Sequence, residues 1–358
     1  MSPSVRRLFP RPLPPPLVAV SARPPVRREL SLEDYVAGVR AGDVGMLARA
    51  LTLIESNRPA HHQLAQQLLT ELMPATGGAT RVGISGVPGV GKSTFIDVLG
   101  KHLIDAGRRV AVLAVDPSST VTGGSILGDK TRMGELAASP AAYIRPAPSA
   151  GTLGGVAQKT RESLLVCEAA GFDVVLIETV GVGQSETMVA DMTDCFLALM
   201  LPTAGDELQA IKRGLLELVD VIAVNKADGP NARAADVAAR QYRNAIDSIG
   251  SRRDDAPMVI TCSARERLRI GDVWDAVETC IARRRDSGEL EQRRQRQNLN
   301  WLRAIVRDRL LAAFESHPSV RELRAELEPA VIDSELPAEV AATRLLAAFG
   351  VGEEPRSE

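Results

Sequence analysis

Six short runs of apolar residues recur between Arg81 and Ala264, and segments with helical spacing separate them. The runs read RVGIS, VAVLAVD, DVVLIET, CFLALML, VIAVNKAD and PMVITCSA. Continuous apolar runs of this length predict strands that are buried on both faces, as in a parallel sheet covered by helices. The sequence therefore predicts an α/β fold with a mostly parallel, doubly wound sheet.

Helical segments flank this region on both sides. Residues 31–75 carry apolar residues at helical spacing, and ELEQRRQRQNLNWLRAIVRDRLLAAF predicts a long helix beyond residue 283. A shorter helix is predicted over PAEVAATRLLAAF. One face of the long helix is apolar and holds Leu302, Ile305, Val306, Leu310, Ala313 and Phe314. The arginines of residues 283–296 alternate with acids, which is typical of a solvated helix face and not of a polyanion site.

These patterns divide the chain into four parts. Residues 1–30 form a tail rich in Pro and Arg that is expected to be disordered, residues 31–75 an N-terminal helical segment, residues 76–282 the domain with the sheet, and residues 283–358 a C-terminal helical arm. The tail lacks acids before Glu29, as mitochondrial transit peptides do, but RPLPPPL cannot form their amphipathic helix. We therefore expect a cytoplasmic protein, and a mitochondrial matrix protein if the tail is a transit peptide.

Composition excludes several classes of partner. The formal net charge of -2 provides no positive electrostatic potential for binding nucleic acid, and no apolar run is long enough to span a membrane. The four cysteines lack C-x-x-C spacing, which indicates reduced thiols with packing roles. We therefore expect neither a nucleic acid nor a membrane as partner.

The sequence GVPGVGKST follows the first apolar run and precedes a helical segment. It matches G-x-x-x-x-G-K-[ST], in which a glycine-rich turn lets backbone N–H groups approach phosphate oxygens at the positive end of a helix. We expect Lys92 to contact the β- and γ-phosphates, the Ser93 hydroxyl to coordinate Mg²⁺, and Thr94 to contact the α-phosphate. The predicted phosphate-binding residues are Gly86, Val87, Pro88, Gly89, Val90, Gly91, Lys92, Ser93 and Thr94.

A second motif, NKAD, ends another apolar run and indicates which base is bound. The Asp228 carboxylate can accept hydrogen bonds from N1–H and the exocyclic amine of guanine, whereas adenine would leave it unpaired. Asn225 and the stem of Lys226 are expected to support the ring. The segment SAR, which comprises Ser263, Ala264 and Arg265, is expected to donate a backbone N–H to the guanine oxygen. The sequence thus predicts binding of GTP and GDP.

Acidic residues between these motifs are candidates for magnesium binding and hydrolysis. Glu178 ends the run VVLIET where a Walker B acid is expected, and the N–H of Gly181 is placed to bond the γ-phosphate. Asp116 ends VAVLAVD and is expected to act on Mg²⁺ or its waters. Asp129 is the candidate for orienting the attacking water, although an exposed turn or an ion pair explains it equally well. The predicted metal set is Ser93, Asp116 and Glu178.

Taken together, the motifs resemble one family, the MeaB/ArgK-type P-loop GTPases. These are the methylmalonyl-CoA mutase-associated GTPases, which include the protein altered in cblA-type methylmalonic aciduria. The resemblance runs from about residue 33 to 350. Its signatures are GVPGVGKST, AVLAVDPSS, TGGSILGDKTRM, IRPAPSAGTLGGVA, GFDVVLIETVGVGQSE and GDELQAIKRG.

The resemblance implies a fold and a function. It implies a P-loop NTPase fold and a slow Mg²⁺-dependent GTPase with the active-site residues Lys92, Asp116, Asp129 and Glu178. It also implies a homodimer, with the helical extensions contributing to the assembly, and a metallochaperone-like role toward an adenosylcobalamin-dependent acyl-CoA mutase in cofactor loading and protection. The segment with Asp206 and Lys212 resembles the switch that communicates with the mutase.

The chain departs from the family pattern at Val121, Ala210 and Arg213, which stand where Arg, Gly and Lys are usual. These departures leave the nucleotide motifs intact but concern partner contact. Three alternatives stay open from sequence: a nickel-insertion GTPase, a transport-associated kinase of the ArgK type, and a nucleotide-dependent scaffold. The first would need a metal-handling Cys/His cluster, which the scattered cysteines and four histidines do not suggest.

Overall fold

A computed structural model of the chain describes residues 30–115, 133–146, 153–179, 185–202, 218–249 and 256–352. All helices and strands described below lie in the unit Leu32–Glu358. Several candidate residues lie outside the described ranges. They are Asp116, Val121, Asp129, Gly181, Asp206, Ala210, Lys212 and Arg213.

A seven-stranded sheet forms the centre of the fold. Its strands are β1 Thr80–Gly86, β2 Val110–Val115, β3 Ala142–Arg145, β4 Val174–Thr179, β5 Cys195–Met200, β6 Val221–Val224 and β7 Met258–Thr261. Every neighbouring pair is parallel, in the order β3-β2-β4-β1-β5-β6-β7. The α/β fold with a doubly wound sheet is confirmed. The sequence missed β3, because its apolar run is limited to three residues before Arg145 and includes only one β-branched residue.

Helices surround the sheet. Those in the described residues are α1 Leu32–Arg40, α2 Val44–Glu55, α3 Pro59–Leu72, α4 Lys92–Asp105, α5 Gly134–Ala137, α6 Leu153–Ala169, α7 Ser185–Ala190, α8 Ala232–Ile249, α9 Ile270–Asp286, α10 Glu289–Ser316, α11 Pro318–Ile332 and α12 Ala338–Ala348. Within these ranges, none of the helices combines the length and apolar character needed to cross a membrane. The predicted helices of both flanks are present, and α11 is an additional one that the sequence did not predict.

Alternate residues of each strand enter two separate cores, one on each face of the sheet. In β2, Ala111 and Leu113 belong to one core, whereas Val110 and Val112 belong to the other. The first core includes α1, α2, α3 and α6, so the N-terminal helices pack on the sheet domain itself. The second core includes α4 and α9. Burial on both faces explains why the strand runs are continuously apolar.

Arginines attach the C-terminal arm to the end of the sheet at which the strands begin. Arg294 of α10 donates from Nε and Nη2 to the fully buried Asp194 carboxylate, at 2.8 and 2.7 Å. Arg284 of α9 donates to Asp220 Oδ2 at 2.9 Å, and Arg293 donates to Thr193 O at 3.0 Å. The prediction of a solvated arginine face is wrong for these three residues, because the chain before β5 and β6 presents acceptors to them: the carboxylates of Asp194 and Asp220 and the carbonyl of Thr193. Removing one partner of a buried ion pair typically costs about 3–5 kcal/mol.

Candidate active site

The turn between β1 and α4, residues 86–91, is called the phosphate loop below. Gly91 is the N-cap of α4 and has φ of 96°, in the left-handed region that favours glycine. A Cβ on Gly86 would lie 2.5 Å from the backbone oxygen of Leu199 in β5. The two glycines are therefore required, one by backbone conformation and the other by close packing against the neighbouring strand.

Lys92 begins α4 and folds back over the phosphate loop. Its Nζ donates to Gly86 O at 2.7 Å and to Val87 O at 3.4 Å. Burial lowers the pKa of Lys92, and the charges of Glu178 and Glu186 partly oppose this by raising it. A half-buried ammonium that faces backbone carbonyls and nearby carboxylates is well placed to exchange these partners for phosphate oxygens.

Two of the three predicted magnesium ligands face each other beside the phosphate loop. The hydroxyl of Ser93 donates to Glu178 Oε1 over 3.4 Å, and the Glu178 side chain is buried. A hydroxyl and a carboxylate are the hard oxygen ligands that Mg²⁺ prefers, so this pair fits the ion. Asp116 follows β2 directly, and the register of Val115 with Thr179 aligns the ends of β2 and β4.

Asn225 holds three parts of the site together. Its Nδ2 donates to Val90 O at 2.9 Å, and its Oδ1 accepts from the Ala264 N–H at 2.9 Å. Lys226 adds a second tie, since its Nζ donates to Gly89 O at 2.6 Å. The first two residues of NKAD thus brace the phosphate loop from the side. The sequence predicted contacts of these residues with the base and missed this brace, because the brace joins segments about 135 residues apart.

The Asp228 carboxylate is held in a fixed rotation. Ser263 Oγ donates to its Oδ1 at 2.6 Å and accepts from the Glu266 N–H at 3.2 Å. The backbone N–H of Ser263 is donated to Leu268 O at 3.0 Å, and that of Ala264 to Asn225. These two N–H groups therefore have protein acceptors, and the contact of the SAR segment with the guanine oxygen stays a prediction.

Three buried polar residues near the phosphate loop were not identified from the sequence. Thr179 Oγ1 donates to Ser85 Oγ, and Ser85 Oγ donates to Glu186 Oε1, both at 3.0 Å. Ser85 is the one polar side chain in the run RVGIS beyond its first residue, a weak signal that this position has a polar partner. No local pattern indicates that the partner is Glu186.

Comparison with known proteins places the chain in a family. The family model described as "Methylmalonyl Co-A mutase-associated GTPase MeaB" matches residues 47–319. The chain belongs to this family. It is therefore a GTPase with a P-loop fold, and the MeaB model covers the phosphate loop, the NKAD motif and all of α10.

Three similar proteins extend the match beyond the family model. A Caulobacter vibrioides protein named as a GTPase is 55% identical over 327 residues, which cover 90% of this MeaB-family chain and 99% of the relative. The mouse "Methylmalonic aciduria type A homolog, mitochondrial" is 44% identical, covering 89% of this chain and 79% of its own length. A crystal structure described as a LAO/AO transport system kinase is 38% identical with a TM-score of 0.73, covering 89% of this chain and 98% of that one.

Proposed function

We propose that this chain hydrolyses GTP with Mg²⁺ and assists an adenosylcobalamin-dependent acyl-CoA mutase of the methylmalonyl-CoA type in loading and protecting its cofactor. The observation that carries the proposal is the family membership together with the assembly of Lys92, Ser93, Glu178 and Asn225 around one phosphate loop. The name of the family includes methylmalonyl-CoA mutase, and the name of the mouse relative refers to methylmalonic aciduria; both support the mutase as partner.

The described side chains divide the work of binding and hydrolysis. Lys92 supplies a positive charge to the β- and γ-phosphates, and Asp228 accepts the N–H donors of guanine. Ser93 and Glu178 would hold Mg²⁺, together with Asp116 as predicted from the sequence. Bound Mg²⁺ neutralises charge on the phosphate oxygens. Positioning and charge stabilisation are the main contributions of the protein to phosphoryl transfer.

Mixing the protein with purified acyl-CoA mutases tests the partnership. We expect one mutase to form a complex detectable by size-exclusion chromatography and to change the rate of GTP turnover. Serum albumin at equal concentration is the control for non-specific effects. If no mutase of the class forms a complex or changes turnover, the chaperone role is wrong, while the GTPase activity stands.

We also propose that two copies associate through the apolar face of α10. Leu299, Leu302, Val306 and Leu310 are 46%, 57%, 49% and 57% exposed. At 3.6 residues per turn they fall on one side of the helix, and so form a continuous apolar stripe. An exposed stripe of this kind typically marks a protein interface. A homodimer would bury it, in line with what the resemblance to the family implies.

The double substitution Leu302→Glu with Leu310→Glu is expected to convert the dimer into a monomer. It places two charges in the apolar stripe, where association with a second copy would remove them from water. Light scattering coupled to size-exclusion chromatography would show the mass halved. Glu315→Lys changes a charge on the other side of α10 and should leave the mass unchanged. A monomeric unmodified protein, or a double variant that stays dimeric, contradicts this interface.

We propose that the protein is located in the cytoplasm. A mitochondrial matrix location follows instead if residues 1–30 act as a transit peptide. The mouse relative is described as mitochondrial, and that description concerns the mouse protein.

A further inference from the structure

A chain of hydrogen bonds runs through the buried interior next to the phosphate loop. Thr179 Oγ1 donates to Ser85 Oγ at 3.0 Å, and Ser85 Oγ donates to Glu186 Oε1 at 3.0 Å. Thr179 and Ser85 are fully buried, and Glu186 is 8% exposed. The carboxylate at the end of the chain is the sole charge among the three side chains. Burying a carboxylate without a hydrogen bond costs free energy, so the bond from Ser85 stabilises the buried charge of Glu186.

Two of the three hydrogen-bonded residues are adjacent in sequence to residues of the nucleotide site. Ser85 directly precedes Gly86, whose carbonyl accepts from Lys92, and Thr179 directly follows Glu178, which faces Ser93. The hydrogen bonds among these side chains therefore connect the end of β1 to the end of β4, in addition to the backbone pairing of Ile84 with Glu178.

The third member brings a further element to this point. Glu186 lies in the first turn of α7, and its charge raises the pKa of Lys92 against the lowering effect of burial. The hydrogen bond from Ser85 thus holds the first turn of α7 against β1. Three elements, β1, β4 and α7, are tied together behind the residues that face the phosphates.

We propose that Glu186 is a positioning residue for GTP hydrolysis, which acts through Ser85 and Thr179 to hold the ends of β1 and β4 in register. Its carboxylate fixes the hydroxyl of Ser85, and that hydroxyl fixes Thr179. As a result, Lys92 and Glu178 keep the relative placement that the transition state requires. Small displacements of such groups have large effects on rate, because reacting groups must be held within a fraction of an ångström.

The proposal concerns the basal GTPase reaction and does not depend on the mutase partnership. Its test uses the full chain, with hydrolysis measured in single turnovers and with GDP affinity measured separately. We expect Glu186→Ala to lower the single-turnover rate by roughly 10- to 100-fold, the range typical of losing a hydrogen bond to a charged group. GDP affinity should change by less than about 3-fold, since the phosphate loop retains its own backbone and Lys92 contacts.

Two further variants separate positioning from a general loss of stability. Glu186→Gln retains an oxygen that can accept from Ser85, and it should recover most of the lost rate. Ser85→Ala should reproduce the loss, and combining it with Glu186→Ala should add little, because both changes break the same chain. Thr187→Ala alters the exposed neighbour on α7 and is the matched control.

Several outcomes would overturn the proposal. One is a Glu186→Ala rate equal to that of the unmodified protein. Another is a double variant whose hydrolysis rate falls by the product of the two single-variant factors, which would show that Ser85 and Glu186 act independently. A third is a fall in the hydrolysis rate that is accompanied by a comparable fall in GDP affinity and by a lower melting temperature, since that would assign Glu186 a role in folding alone.

Discussion

Asp228→Asn is expected to lower the affinity for GTP by roughly 10²- to 10⁴-fold, the effect of losing two hydrogen bonds to a charged acceptor. The same substitution should raise the affinity for xanthosine triphosphate, whose additional carbonyl accepts from an amide donor. Ser263 Oγ donates to Asp228 Oδ1, and an Asn oxygen can accept the same bond. The variant therefore changes the chemistry presented to the base with little change in the placement of the side chain.

Competition between GTP, ATP and xanthosine triphosphate, measured by isothermal titration calorimetry in magnesium buffer, checks this prediction. Asp275→Asn is the matched control, because it removes one carboxylate charge from an exposed position of α9. The control should keep the guanine preference. If the Asp228 variant also kept a strict preference for GTP, the assignment of Asp228 to base recognition would be wrong.

The parts of the site that could be predicted from sequence are those in which local geometry dictates residue type. A left-handed N-cap at Gly91 and a close strand contact at Gly86 both demand glycine, so the phosphate loop is visible as a motif. The continuously apolar strands follow from a sheet buried on both faces, as the alternation in β2 illustrates. In each case one stretch of chain carries the whole signal.

The parts that could not be predicted depend on pairs of residues distant in sequence. Arg294 lies 100 residues from Asp194, and the sequence around the arginine is equally compatible with a solvated face. Glu186 lies 101 residues from Ser85. Asn225 reaches both Val90 and Ala264. Such contacts require the fold itself, because nothing local distinguishes a buried polar partner from an exposed one.

Lys92→Ala is expected to weaken GTP binding by about 10²-fold or more while the protein stays folded. The side chain contacts the carbonyls of Gly86 and Val87, and it belongs to neither apolar core. We therefore expect its charge to serve the phosphates, where a charged hydrogen bond in a partly desolvated site contributes most. Circular dichroism should show an unchanged helix content, and calorimetry should show the loss of tight binding.

The dependence on the number of phosphates distinguishes this role from a general disturbance of the loop. Because the ammonium is expected to face the β- and γ-phosphates, the loss should be large for GTP and GDP and small for GMP. Lys101→Ala, an exposed lysine later in α4, is the control and should bind all three nucleotides as the unmodified protein does. Equal losses for GMP and GTP would mean that Lys92 supports the shape of the phosphate loop instead of the charge on the terminal phosphates. A variant that retained GTP affinity would contradict the assignment of this lysine altogether.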